Sequence, residues 1–162
     1  MKKYAYLWIT LIVIIIDQLS KLLIRNLLEL GEIIKITPKI IWITYVQNTG
    51  AAFSLSFGTP GLNKIVFIIL SLLAIFLIFY LLSKTSSKIE KISFALILGG
   101  AVGNLIDRIA LGKVTDFVWC DFPDVIMTRW PVFNIADSSI VIAIAIIVAY
   151  TIFHRDKAVE EK

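Results

Sequence analysis

The sequence predicts an integral membrane protein with an all-α core of four transmembrane helices and a small extracytoplasmic β-platform between helices 1 and 2. Of its 162 residues, 59% are hydrophobic and 17% are charged, whereas a soluble domain has about 45–50% apolar and about 25% charged residues. The mean hydropathy is +0.89. We therefore expect one integral-membrane domain over residues 1–162, with no room for a separate soluble module.

Four apolar segments approach the length of about 20 residues that crosses a bilayer. The first follows Lys2 and Lys3 like a secretory signal peptide, but it has no small-residue cleavage site, so we expect a retained helix. The second is uncharged, the third runs into Asp107 and Arg108, and the fourth carries Asp137 near its start. The predicted spans are about 4–24, 65–83, 92–108 and 132–153.

Between the first two spans, an outer segment over about 30–56 has the composition of β-structure. Glu32–Ile36 and Ile40–Val46 are rich in Ile, Thr and aromatic residues and are separated by a turn containing Pro38, which predicts two short strands. Trp42 and Tyr45 suit a membrane interface. The segment over about 109–131 is predicted to be an outer loop.

The distribution of Lys and Arg predicts the orientation of the chain. These residues are concentrated in the N-terminus, the loop 84–91 and the C-terminal tail, so we expect both termini to be cytoplasmic. The net charge of +4 is also compatible with nucleic-acid binding. However, the basic residues flank the spans and form no patch, so we expect no nucleic-acid partner.

Most catalytic chemistries are excluded by composition. The chain has one cysteine, Cys120, and one histidine, His154, which lies at the cytoplasmic end of the last span. Neither a disulfide nor a Ser–His or Cys–His arrangement can therefore form near the outer polar residues. No HExxH, P-loop or dinucleotide-binding pattern occurs, so we expect no metal and no cofactor. Any catalysis must therefore depend on carboxylate groups.

Asp116 and Asp137 are the candidate catalytic carboxylates. An acid close to hydrocarbon is costly and is by default a functional hypothesis. Asp137 can alternatively stabilise the first turn of its helix by a few tenths to about 1 kcal/mol, and Asp116 can be an ordinary loop acid. Two carboxylates in one site share a proton, which supplies a general base and a general acid. Asp121 and Asp124 are expected to be solvated.

The third span ends in a polar run with two interpretations. Gly99 and Gly103 have the spacing that allows close helix packing, and Asn104 lies one turn from Asp107 and Arg108. This run is either a packing face with an interfacial ion pair or a polar lining that faces the aspartates, and the residues alone leave both open.

The first span carries its own polar pair. Asp17 and Lys21 are four residues apart on one helix and can form an ion pair. We expect the pair to be structural, with Lys21 extending outward towards the membrane surface.

Five runs in this order resemble the lipoprotein signal peptidases, also called signal peptidase II, over roughly residues 4–153. The matching runs are Asp17–Lys21, Asn48–Phe53, Gly99–Arg108, Val114–Phe117 and Phe133–Ser138. No family motif matches Trp119–Trp130.

The resemblance implies an aspartic endopeptidase of the bacterial cytoplasmic (inner) membrane, with its active site at the outer face. It would remove signal peptides from prolipoproteins by cutting on the amino side of the diacylglyceryl-cysteine, with Asp116 and Asp137 as catalytic residues. Asp17 and Lys21 match positions thought to be structural. The positions that match substrate-binding or dyad-supporting residues of the family are Asn48, Gly50, Asn104, Asp107, Arg108, Asn134 and Ala136. The implied partners are diacylglyceryl-modified prolipoprotein signal peptides, membrane lipid and the inhibitor globomycin, and we expect a monomer.

Two rival functions remain at this stage. A small ion- or proton-coupled transporter also places acidic and basic residues in the membrane, but it predicts such residues at several depths, and the second span has no charged residue. A non-catalytic assembly subunit packed through Gly99 and Gly103 leaves Asp116 and Asp137 unexplained.

Overall fold

The computed structural model describes residues 5–37, 40–50, 59–120 and 130–160 and shows four long helices and three strands in those ranges. The helices are all long and apolar enough to cross a membrane. The predicted core of four membrane-length helices with a small β-sheet is thus confirmed. The elements in chain order are α1 Leu7–Leu27, β1 Ile33–Lys35, β2 Ile41–Asn48, α2 Pro60–Lys84, α3 Lys88–Leu111, β3 Val114–Cys120 and α4 Ile135–Glu160.

The ends of α2 and α3 follow from capping residues, and they lie outside the predicted span limits. Thr59 accepts a hydrogen bond from the Leu62 N–H at the start of α2, and Ser87 caps α3 in the same way. Helix α3 therefore begins before residue 92. It ends at Leu111 and is followed by Gly112, which has φ 75°, a left-handed conformation that glycine adopts without a side-chain clash.

Helix α3 is the centre of the bundle and packs against all three other helices, whereas α2 packs against α3 and no other described element. Small residues permit this close packing. A Cβ atom added at Gly103 would lie 2.6 Å from the Asp17 carboxylate, and one at Gly99 would lie 2.7 Å from the Val13 Cβ. Gly99 and Gly103 thus form the packing face that their spacing predicts.

The sheet has three antiparallel strands in the order β1-β2-β3. The sequence predicted the first two between α1 and α2, and β2 continues two residues further, to Asn48. The segment 109–131 contains, in its described part, the end of α3 and the third strand, so its prediction as a loop is wrong there. Asp116 pairs with Val46 of β2.

Residue 133 joins β3 to the beginning of α4. The Val118 N–H donates to the Phe133 carbonyl at 2.8 Å, and the Phe133 N–H donates back at 3.0 Å. This bridge brings the first turn of α4 beside the strand that carries Asp116. The predictions for Ala51–Phe53, Asp121 and Asp124 concern residues outside the described ranges.

Candidate active site

Two asparagine side chains connect Asp116 to Asp137. The Asn134 Nδ2 donates to Asp116 Oδ1 at 2.6 Å and to Asn104 Oδ1 at 3.1 Å. The Asn104 Nδ2 in turn donates to Asp137 Oδ1 at 2.8 Å. Strand β3, the start of α4 and the C-terminal half of α3 therefore contribute to one polar cluster. Asn104 therefore belongs to a polar lining that faces the aspartates, as one interpretation of the Gly99–Arg108 run predicted. Gly99 and Gly103 of the same run form the packing face that the other interpretation predicted.

Asp137 also caps its own helix. Its N–H donates to Asn134 Oδ1 at 2.9 Å, and its Oδ2 accepts a hydrogen bond from the Asn134 N–H at 3.2 Å. This reciprocal pair is the arrangement of a capping box. The helix-capping interpretation of Asp137 is compatible with a site role, because its Oδ1 receives the hydrogen bond from Asn104.

Asn48 holds the second oxygen of Asp116. Its Nδ2 donates to Asp116 Oδ2 at 3.0 Å, while its Oδ1 accepts the Gly50 N–H at 3.0 Å. The Gly50 contact fixes the direction of the amide, so that its NH₂ group faces the carboxylate. Both oxygens of Asp116 thus accept an amide hydrogen bond.

The two carboxylates differ in exposure. Asp116 is 3% exposed, whereas Asp137 is only partly buried. Burial and, secondly, the negative charge of Asp137 raise the pKa of Asp116 to about 6, against the opposing effect of the amide donors on Asn48 and Asn134. Asp116 therefore binds a proton more readily than an ordinary aspartate does.

Lys21 lies inside the bundle, contrary to the prediction that it extends outward. Its side chain has no exposed surface, and Nζ lies 2.9 Å from Asp17 Oδ2 and 3.5 Å from Asp107 Oδ2. It also donates to Asn104 Oδ1 at 2.9 Å. Two carboxylates and an amide give the ammonium a full set of partners, which offsets the cost of its burial.

Asp17 ties α1 to the beginning of α4. Its Oδ1 accepts the Ala136 N–H at 3.0 Å, and Ala136 has no exposed surface. The Ala136 N–H is one of the first-turn donors that have no partner within their own helix. The carboxylate of Asp17 therefore accepts a hydrogen bond from the first turn of α4 and pairs with the Lys21 ammonium at the same time.

Three polar residues of the cluster were not assigned a role from the sequence: Arg25, Thr115 and Gln18. Arg25 donates to Thr115 Oγ1 at 3.1 Å and lies 3.5 Å from Asp107 Oδ1. Gln18 donates to Asp107 Oδ1 at 3.3 Å. Arg25 follows Lys21 by four residues, so the helical stripe 17–21–25 was the available signal.

A cleft of about 310 Å³ opens beside Asp137. This volume is at the lower end of the range for small-molecule sites. Arg108 lies with its guanidinium 5.5 Å from the centre of the Phe67 ring. The cleft is lined by Phe67, Leu70, Ser71 and Ala74 of α2, by Ala101, Asn104 and Arg108 of α3, and by Asp137 and Ile140 of α4.

Among the described residues, no group of three or more His, Cys, Asp or Glu side chains is arranged to hold a metal ion.

Four membrane-length helices, with two linked carboxylates at one end of the bundle, define a multi-pass membrane protein with a candidate acid–base site. Residues 9–153 match the family model described as signal peptidase (SPase) II. The chain belongs to the signal peptidase II family.

Relatives and solved structures agree with that membership. A lipoprotein signal peptidase of Halothermothrix orenii is 43% identical over 143 residues, which cover 88% of this chain and 91% of the relative. One from Pseudomonas aeruginosa is 36% identical over 98% of this chain and 93% of the relative. A structure described as a bacterial membrane enzyme solved by the in meso method at 2.3 Å resolution has a TM-score of 0.82 at 27% identity, with 94% of this chain and 90% of that chain covered.

Proposed function

We propose that this protein removes signal peptides from bacterial prolipoproteins, cutting on the amino side of the diacylglyceryl-cysteine by aspartic acid–base catalysis. The observation that carries the proposal is the linkage of Asp116 and Asp137 through Asn134 and Asn104 beside an apolar cleft. The named relatives are lipoprotein signal peptidases, which supports this substrate class and gives no support to a transporter.

The different surroundings of the two aspartates assign them different roles. Asp137 borders the cleft and is partly exposed, so it is the general base that takes a proton from water. Asp116 is the member that carries the proton, since burial and the charge of Asp137 raise its pKa to about 6. Its proton polarises the carbonyl group of the scissile bond.

The proposed reaction is the hydrolysis of one peptide bond by water. Water loses a proton to Asp137 and its oxygen attacks the carbonyl carbon, while Asp116 gives its proton to the carbonyl oxygen. When the tetrahedral intermediate collapses, one of its hydroxyl groups returns a proton to Asp116, the C–N bond breaks, and the amine of the lipidated cysteine takes the proton held by Asp137. Asn104, Asn134 and Asn48 keep the carboxylates in place throughout.

The cleft is the candidate site for the apolar part of the substrate. Most of its lining on α2 is apolar, as is Ile140 of α4, and Asn104, Arg108 and Asp137 are its charged and amide residues. Because α2 packs against α3 and no other described element, we infer that the substrate enters from the bilayer between α2 and α4. The guanidinium of Arg108 can donate to a peptide carbonyl of the substrate.

We further propose that the site is at the outer face of the bacterial cytoplasmic membrane, with both termini cytoplasmic, and that the protein acts as a monomer. The support is the concentration of Lys and Arg at the opposite end of the bundle, including the short α2–α3 connection. Because the acyl chains of a lipidated cysteine lie in the outer leaflet, the scissile bond would lie near the membrane surface, at the depth of the two aspartates. Globomycin, an inhibitor of the family, should occupy this site.

The test is a gel-shift assay of purified protein on two forms of one precursor, with and without the diacylglyceryl group. We expect cleavage of the lipidated form only, and inhibition of that cleavage by globomycin. Equal cleavage of both forms, or no cleavage of either by folded protein, would contradict the proposal.

A further inference from the structure

Arg25, Thr115 and Asp107 form a closed ring of contacts next to the dyad. Arg25 donates to Thr115 Oγ1 at 3.1 Å and pairs with Asp107 Oδ1 at 3.5 Å. The Thr115 N–H donates to Asp107 Oδ2 at 2.9 Å. The ring therefore joins α1, α3 and β3 through one residue from each element.

The ring holds the residue that precedes Asp116 by both its backbone and its side chain. Successive side chains of a strand point to opposite faces, so Thr115 projects towards Arg25 while Asp116 projects towards Asn48 and Asn134. Thr115 is 1% exposed. Its fixed position sets the position of the Asp116 Cα atom relative to α4.

We propose that Arg25 is a positioning residue for catalysis: through Thr115, it holds β3 where the Asp116 carboxylate faces Asp137. This inference rests on the proposed function, in which these two aspartates perform the hydrolysis. Arg25 does not touch the carboxylate of Asp116 and is not itself a catalytic residue.

The contribution of Arg25 to positioning is separable from a contribution to folding. Its side chain is 22% exposed, unlike that of Lys21, which has no exposed surface. Asp107 keeps Lys21 and Gln18 as partners when Arg25 is removed. Loss of the guanidinium therefore leaves no buried charge without a partner, whereas it does release the Thr115 hydroxyl.

The experiment compares steady-state cleavage of a lipidated precursor by full-length Arg25→Gln, Thr115→Val and the double variant. We expect each single change to lower kcat about tenfold or more and to leave KM nearly unchanged, because misplacement of a catalytic group acts on the chemical step. We expect the double variant to be about as slow as the slower single variant, since both changes remove the same contact.

Two further variants serve as matched controls. Thr115→Ser retains the hydroxyl and should keep a kcat close to that of the unmodified protein. Thr44→Val removes a hydroxyl from another buried threonine of the sheet, on β2, and should also stay close. Thermal unfolding in detergent establishes the folded fraction of each variant, and if Arg25→Gln does not fold, Thr115→Val decides the question.

Three outcomes would overturn the inference: an unchanged kcat in the folded variants, an equal loss in Thr44→Val, or a double variant whose loss is the product of the single losses. Asp116→Asn in the same assay separates this failure from that of the proposed function. If Asp116→Asn is inactive while Arg25→Gln and Thr115→Val are normal, only the positioning role is wrong. If Asp116→Asn is active, the dyad is wrong and the positioning role falls with it.

Discussion

The Lys21 ammonium donates a 2.9 Å hydrogen bond to the side-chain oxygen of Asn104, and this contact determines which way the Asn104 amide faces. Its oxygen also accepts a hydrogen bond from Asn134, so its nitrogen is directed at Asp137. An asparagine that is anchored in this way offers a donor, never an acceptor, to the carboxylate. The cationic residue of α1 thereby orients a group that binds the proposed general base.

The substitution Asn104→Ala should therefore impair turnover strongly. It removes the donor to Asp137 and the acceptor of Lys21 and Asn134, and the loss of orientation at a reacting group can cost about a hundredfold in rate. The measurement is kcat on a lipidated precursor, with the folded fraction determined by thermal unfolding.

Ser71→Ala is the matched control for Asn104→Ala. Ser71 also lines the cleft, but its hydroxyl donates to the Phe67 carbonyl of its own helix at 2.7 Å. We expect nearly normal turnover from it. A folded Asn104→Ala protein with normal kcat would show that the hydrogen bonds of the Asn104 amide have no catalytic role.

Gly103→Ala should destabilise the bundle. The added methyl group would lie 2.6 Å from Asp17 Oδ2, inside the α1–α3 contact, and overpacking of this kind typically costs about 1–3 kcal/mol. The thermal unfolding midpoint in detergent reports the effect. Gly61→Ala is the control, because nothing lies within 4 Å of the added atom there. Equal midpoints for the two variants would mean that α1 and α3 do not pack as described.

The rate should fall with rising pH above about 6. The pKa of Asp116 is raised to about 6 by burial and by Asp137, so the proposed proton donor is increasingly deprotonated above that pH. A single ionisation predicts a decrease in kcat/KM of about tenfold per pH unit on the alkaline side. The measurement is a pH–rate profile at constant ionic strength. A profile that is flat from pH 6 to 8 would exclude Asp116 as the proton donor in the free enzyme.

The sequence alone predicted the four helices and the first two strands, and it singled out Asp116 and Asp137, whose catalytic role stays a prediction. Helices of this length are forced by the bilayer, and Asp116 and Asp137 remained after the lone histidine and cysteine had been excluded. It was not sufficient for the full length of β3 or for its place in the sheet, because the pairing of Val114–Cys120 with β2 joins segments that are distant in the chain. Pairing between distant segments leaves no local pattern.

The prediction that Lys21 extends outward was wrong for a related reason. A lysine near a helix end normally extends towards water. The nearby Asp17 does not change that expectation by itself, and the further partners that stabilise Lys21 in the interior, Asp107 and Asn104, are more than 80 residues away in the chain. Arg25 was missed because its partner Thr115 lies on β3. The capping box of Asn134 and Asp137, by contrast, is local, and its spacing of three residues is visible in the sequence.

The most direct test of the account is the cleavage rate of a lipidated prolipoprotein by purified Asp116→Asn and Asp137→Asn, with Glu29→Gln as a control that removes an exposed acid at the end of α1. We expect each dyad variant to fold, to unfold thermally near the temperature of the unmodified protein, and to lose at least about a thousandfold in kcat, as the removal of an acid–base group implies. Glu29→Gln should cleave normally. Normal turnover by either folded dyad variant would contradict the central claim that Asp116 and Asp137 together perform the hydrolysis.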